Sequence, residues 1–181
     1  MSILGEIQAL CANENLAYLS AEDGPKVRSV YAAEPLWRIL CGPWVSDDEE
    51  RQAGTLNNYL AHFIQGGELI VSADPRELVC QLKRLEPPPP EIWEMRVSEP
   101  SPGIRVFGRF AHKDIFIALL WEDRILLGPF GSRRWKYFAS KCEQDWHKYF
   151  PRHNPVEGRS INEYLSNATV ADDWEWGSSI P

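Results

Sequence analysis

Residues 91–121 read EIWEMRVSEPSPGIRVFGRFAHKDIFIALLW, and this stretch decides the predicted fold. Apolar and charged side chains alternate in residues 91–98 and 104–111, which is typical of strands that bury one face. Residues 115–121 are almost wholly apolar, which predicts a strand buried on both faces at the centre of a sheet. Because the connecting loops are short, we predict an antiparallel β-meander.

The meander is predicted to continue beyond residue 121. Glu122 and Asp123 indicate a turn into a fourth strand at residues 124–128. A long helix at 132–149 should follow, since aromatic and thiol side chains recur on one face at intervals of three and four. The residues of this stripe are Trp135, Phe138, Cys142, Trp146 and Tyr149. Ser160 and Glu163 form a capping box that predicts a last short helix, to about residue 167.

Helices and strands also alternate before residue 86. A capping box at Ser46 and Glu49 predicts a helix that Gly66 and Gly67 end. The apolar stripe of that helix is Ala53, Leu56, Leu60, Phe63 and Ile64. The other elements predicted here are a helix at 3–13, strands at 16–20, 26–32 and 68–72, and a helix from Asp74 that buries Leu78, Leu82 and Leu85. Residues 36–44 are apolar and leave helix and strand open.

Four successive prolines at 87–90 predict an extended spacer, because they cannot continue a helix. We therefore divide the chain at this point. Residues 1–90 form an N-terminal mixed, mainly helical region, residues 91–167 a basic antiparallel meander with helices, and residues 168–181 an acidic tail. The predicted fold class is α+β, an antiparallel β-meander packed with flanking helices.

The charge is unevenly distributed along the 181 residues, whose net charge is −7. Residues 1–90 carry 7 Lys/Arg against 13 Asp/Glu, residues 91–160 carry 12 against 9, and residues 161–181 carry none against 4. An acidic chain repels phosphates in general. The basic middle segment is therefore either a local anion site or an uneven distribution without function.

Several sequence features that mark membrane proteins, secreted proteins and cofactor-binding enzymes are absent, and this predicts the localisation and cofactor use. No apolar run reaches the roughly 18 residues that span a bilayer, and the N-terminus lacks the basic start of a signal peptide. Cys11, Cys41, Cys80 and Cys142 are scattered and form no CxxC pair, so we expect buried free thiols in a reducing cytoplasm. No phosphate-binding loop, GxSxG elbow or HExxH motif occurs, and neither a metal nor a cofactor is implied.

The basic side chains of the second half are the candidate functional residues. Arg105 and Arg109 should share a solvent-exposed face of one strand with Phe107, and Arg96 could join them from the next strand. Guanidinium groups on a rigid sheet suit phosphate binding, because each is a planar array of donors. The predicted nucleic-acid-binding residues are Arg96, Arg105, Arg109, Arg133, Arg134 and Lys141. The alternative is that these residues only form solvated faces of the sheet and the helix.

The second half also resembles a known family. LKRL at 82–85, the prolines, IWEMRV at 92–97, IRVF at 104–107 and the apolar strand after them are similar to RelE/HigB-type toxins of bacterial toxin–antitoxin pairs. The likeness covers roughly residues 68–128. It implies a metal-independent endoribonuclease that cuts messenger RNA on the ribosome, in which Arg96 and Arg105 match the strand arginines of the family.

Two functions are therefore predicted. In the first, the chain is a cytoplasmic toxin-like protein that binds, and by the resemblance cleaves, RNA, with an antitoxin or another protein as a further partner. Its catalytic residues would be Arg105, with Tyr137 or His112 assisting proton transfer. In the second, it is a non-enzymatic inhibitor or immunity-type protein that acts by protein–protein interaction. Neither function involves a membrane.

Overall fold

The computed structural model describes residues 1–73, 79–85, 91–99, 101 and 103–171. Among these residues the strands are β1 (Leu16–Leu19), β2 (Ser29–Ala33), β3 (Leu69–Ser72), β4 (Leu82–Arg84), β5 (Trp93–Val97), β6 (Ile104–His112), β7 (Ile115–Asp123) and β8 (Ala168–Val170). The α-helices are α1 (Ile3–Ala12), α2 (Glu34–Cys41), α3 (Asp47–Ile64), α4 (Arg124–Leu127) and α5 (Arg133–Tyr149). No helix of the described segments is long and apolar enough to cross a bilayer.

The eight strands form one mixed sheet in the order β1-β2-β7-β6-β5-β4-β3-β8. The run from β4 to β7 is antiparallel, as is the pair β1–β2. The pairs β2–β7, β3–β4 and β3–β8 are parallel. The α+β class is thus confirmed, but the antiparallel meander is only the centre of a mixed sheet that also contains strands from the first half of the chain.

The predicted central strand is confirmed, and the predicted fourth strand of the meander is wrong. β7 lies between β2 and β6, so it is hydrogen-bonded on both sides. It extends to Asp123, and residues 124–127 form the short helix α4 instead of a strand. The Asp123 carboxylate accepts a hydrogen bond from the Ile125 N–H (2.7 Å), which caps the helix, and Gly128 with a φ of 69° ends it.

The first half follows the predicted order of elements with one exception. The Ser46 hydroxyl caps α3, and all five predicted stripe residues of that helix are buried. The open segment at 36–44 lies mostly in a helix, α2. The predicted helix from Asp74 is wrong at its C-terminal part, because Leu82–Arg84 is a strand paired with β3 and β5. Residues 74–78 lie outside the described residues.

The C-terminal part agrees with the predicted helix and differs in the tail. Ser132 caps α5, whose buried residues are Trp135, Phe138, Cys142 and Trp146. The capping box at Ser160 and Glu163 is present, but it begins only a 3₁₀ turn at Ile161–Glu163. The predicted tail begins as the edge strand β8. The proline run at 87–90 and residues 172–181 lie outside the described residues.

Helices cover both faces of the sheet. The α3 face is the one packed against α2 and α3, and it buries Leu36, Leu56, Phe63, Met95, Val106 and Phe116. The α5 face is packed against α1 and α5, and it buries Ile7, Phe107, Ile117, Trp135, Phe138 and Trp146. The alternation along β6 places Arg105, Phe107 and Arg109 together on the α5 face, as predicted.

Candidate functional site: the α4–α5 turn and the charged cluster beneath it

The two predicted arginines of β6 are buried, contrary to the expectation of a solvent-exposed face. Arg105 and Arg109 are 5% and 3% exposed. The cause is α5, because Trp135 and Phe138 pack on Phe107, which lies between the two arginines on the same face. Periodicity identified the shared face correctly, but the long-range packing of the helix removed that face from solvent.

A charged cluster of Lys83, Glu94, Arg96 and Arg105 occupies one end of the α5 face. Glu94 Oε1 lies 2.7 Å from Arg105 Nε and 3.5 Å from Arg96 Nε. Lys83 lies opposite Glu94 in the register of β4 and β5. Arg105 Nη1 also donates to the carbonyl oxygens of Val97 (3.3 Å) and Ile104 (3.0 Å). The cluster therefore cross-links three strands from within.

Burial dominates the electrostatics of this cluster. It raises the pKa of the Glu94 carboxyl to about 6, although Arg105 and Arg96 oppose the rise. Burial likewise lowers the pKa of Arg105, against the attraction of Glu94. Because Arg105 is buried and already paired, its guanidinium is poorly placed to bind a phosphate. The arrangement is that of a structural ion pair.

The three predicted catalytic residues are not brought together. Arg105 lies near the start of β6 and His112 at its end, about 23 Å apart at roughly 3.3 Å per residue. His112 is exposed, and its Nδ1 lies 3.3 Å from the Lys113 carbonyl oxygen. Tyr137 is exposed on the outer side of α5. Arg105 and His112 are therefore too far apart for proton transfer between them, and Tyr137 is exposed whereas Arg105 is buried.

The predicted cations of α5 lie on the surface, and two of them are paired. Arg134 forms an ion pair with Glu122, with Nε 3.1 Å from Oε2. Lys141 pairs with Asp145 one turn along the helix. Arg133 is exposed, as is Lys136. Of the six predicted nucleic-acid-binding residues, Arg133 is thus fully exposed on the outer side of α5, whereas Arg105 and Arg109 are buried.

The cysteines and the cavity beside the cluster show no activated nucleophile. All four thiols are free, but Cys41 is exposed, which corrects the expectation that all are buried. A cavity of about 630 Å³ next to the cluster is lined in part by Tyr59, Cys80 and Arg96. Burial raises the pKa of Cys80, which favours the unreactive thiol. No group of three or more potential metal ligands occurs in the described part of the chain.

Sequence reasoning missed the most exposed apolar feature of this region. We call it the α4–α5 turn, residues 124–132. Its side chains Ile125, Leu126 and Phe130 are 69%, 59% and 47% exposed. The prediction of a strand at 124–128 hid this feature, because a strand would have buried alternate side chains. Asp123 as a helix cap and Gly128-Pro129 as a stop were the available signals.

The α4–α5 turn is fixed although its apolar side chains face solvent. Side chains donate hydrogen bonds to its backbone carbonyl oxygens. Arg124 Nη1 (2.6 Å) and Trp135 Nε1 (3.1 Å) donate to the Gly128 carbonyl, and Ser132 Oγ (2.9 Å) donates to the Leu127 carbonyl. Lys83 Nζ of the charged cluster lies 5.8 Å from the centre of the Phe130 ring. The cluster and the turn therefore form one rigid unit.

Comparisons with known proteins do not assign a function to this chain, so a functional proposal rests on the geometry of the site. No family model matches the chain, and no curated protein or solved structure is significantly similar to it. The resemblance to RelE/HigB-type toxins therefore stays a prediction.

Proposed function

We propose that the chain is a non-enzymatic interaction protein of the inhibitor or immunity type, which binds a protein partner through the α4–α5 turn. The observation that carries this proposal is the exposure of Ile125, Leu126 and Phe130 on a turn that is fixed by hydrogen bonds. Apolar side chains grouped on a surface mark interaction sites more often than isolated ones do.

The energetics of the turn favour binding. Burial of one large apolar side chain contributes roughly 1.5–3 kcal/mol, so two or three together contribute about 3–9 kcal/mol and offset a large part of the cost of association. Because the backbone of the turn is already fixed, little conformational entropy is lost when a partner docks. Such a preformed surface is what a tight, non-catalytic inhibitor needs.

The surroundings of the turn indicate the chemistry of the partner. Arg133 and Lys136 are exposed on the first turns of α5, directly after the apolar residues. Arginine at the rim of an apolar patch is common in protein interfaces. The partner surface should therefore be apolar at its centre and acidic at its edge, and the charges would accelerate association more than they strengthen it.

The test compares three baits in partner capture from extracts of the source cells. The variant Ile125→Ser/Leu126→Ser removes the apolar surface, and Val45→Ser is the matched control, because Val45 is 87% exposed and lies before α3, outside the α4–α5 turn. A protein that binds the wild type and the control should be lost with the double variant, and its purified form should bind with the same selectivity. Equal binding to all three baits would contradict the proposal.

A second candidate is the toxin-like function, in which the outer side of α5 binds RNA. What supports it is the exposed Tyr137, which follows the exposed Lys136 and lies one helical turn after the exposed Arg133, since a base can stack on an exposed ring. Affinity for single-stranded RNA should then fall with salt, with a slope of about 0.7 per phosphate contact. Arg133→Ala/Lys136→Ala should flatten this slope. No binding at low salt would reject this candidate.

A further inference from the structure

We infer that Arg109 is a binding site for the carboxylate of a small monoanionic ligand, at the end of the α5 face opposite the charged cluster. Arg109 is 3% exposed, and its Nε and Nη1 have no hydrogen-bond partner. It forms no ion pair with any carboxylate of the described residues. This site is separate from the α4–α5 turn and does not rest on the proposed function.

The other buried arginines show that an unpaired guanidinium is an exception in this chain. Arg28 donates to four carbonyl oxygens and lies 3.8 Å from Asp114. Arg84 pairs with Glu91, and Arg105 pairs with Glu94. A buried cation without a counter-charge costs several kcal/mol. Because the other buried arginines have acceptors, we infer that Arg109 lacks an acceptor that a ligand supplies.

The surroundings of Arg109 form a partly assembled anion site. Its guanidinium carbon lies 5.6 Å from the centre of the Trp146 ring, which supplies a π face. The buried thiol of Cys142 lies on the same side of α5 as Trp146. The Val156 N–H donates to the carbonyl of Phe110, the residue after Arg109 in β6 (2.8 Å), which fixes the backbone next to the site.

The charges near the site determine the ligand class. Arg109 is attracted electrostatically, at longer range, by the carboxylates of Glu143, Glu91 and Glu157. Glu91 is already paired with Arg84. These carboxylates repel a dianion such as phosphate about twice as strongly as they repel a monoanion. A singly charged carboxylate on a small apolar body therefore suits the single cation and the aromatic wall better than phosphate does.

The experiment measures Tm with increasing sodium acetate and sodium formate, against sodium chloride and inorganic phosphate at equal ionic strength. The proteins are the wild type, Arg109→Met and the exposed control Arg133→Met. We expect a saturable rise of Tm with carboxylate in the wild type and in Arg133→Met only, because a ligand stabilises the state that binds it. Without ligand, Arg109→Met should have the higher Tm, since it removes an unpaired buried charge.

A second measurement uses only the wild-type protein, so it does not depend on whether a variant folds. In ¹⁵N-labelled wild-type protein, the Nε–H resonance of Arg109 should move saturably with acetate and stay unchanged with chloride. If Tm rises equally in Arg109→Met and the Nε–H resonance of Arg109 does not move, acetate has an adventitious effect of salt only, and the inference is overturned. A response to phosphate but not to carboxylates would overturn the assigned ligand class.

Discussion

Both faces of the sheet bury arginines, but the two faces differ in how those charges are compensated. On the α3 face, Arg28 donates to backbone carbonyls beside Phe63, and Arg84 pairs with Glu91 beside Tyr164. On the α5 face, a paired charged cluster lies at one end, and Arg109, which has no acceptor for its Nε and Nη1, lies at the other. Basic residues on a strand therefore do not identify a binding surface, and what distinguishes them is whether each buried charge has a partner.

The largest expected effects compare aromatic side chains on the two faces. Trp146→Ala on the α5 face and Phe63→Ala on the α3 face should each destabilise by about 3–5 kcal/mol, the usual cost of a deleted buried aromatic. Both side chains are fully buried. Urea unfolding measures the difference. A loss well under 1 kcal/mol for Trp146→Ala alone would show that α5 packs only loosely on the sheet.

Removing one charge of the cluster should destabilise the protein strongly, whereas replacing two paired charges with apolar side chains should destabilise it less. Glu94→Ala leaves Arg105 buried without its counter-charge and should cost about 3–5 kcal/mol. The double variant Glu94→Met/Arg105→Met removes both charges and should cost less than Glu94→Ala alone. Urea unfolding of Glu94→Met, Arg105→Met and the double variant gives the coupling. Additive losses would mean that the 2.7 Å contact carries no interaction.

The pH dependence of stability should carry the signature of Glu94. Its folded-state pKa of about 6 lies above the ordinary 4.5, so the folded state binds the proton more tightly than the unfolded state does. This contribution to stability is complete below pH 4.5 and is lost as the pH rises through about 6. A pKa difference of about 1.5 corresponds to roughly 2 kcal/mol.

The measurement is the unfolding free energy in urea between pH 4 and pH 7. Glu94→Gln should lack this part of the slope, whereas Glu143→Gln on α5 should keep it. An identical slope in all three proteins would contradict the burial of an ionisable carboxyl at this position.

The smallest effect is expected at the α4–α5 turn. Ile125→Ser/Leu126→Ser should change stability by only about 0.5 kcal/mol, because the replaced side chains face solvent and make little contribution to the core. Thermal unfolding of the variant beside Val45→Ser checks this. A loss of several kcal/mol would show that the two side chains support the fold, and the turn would then be a poor candidate for a docking surface.

The sequence by itself determined the elements whose signals are local. Period-two alternation predicted β5 and β6, and the uniformly apolar run predicted the central strand β7. The capping box at Ser46 predicted where α3 begins, and the aromatic stripe predicted α5. It also determined that Arg105 and Arg109 share a face. These features depend on backbone geometry and on nearest neighbours, which a sequence pattern reports directly.

Only the tertiary structure decided which faces are covered and which charges are paired. The parallel pairing of β2 with β7 and the pairing of the strand at Leu82–Arg84 with β3 and β5 depend on contacts between separate segments of the chain. The burial of Arg105 beside Glu94, and of Arg109 without a partner, depends on how α5 docks. A periodic pattern states which side chains point the same way, but the free energy of a charge is set by what packs over it.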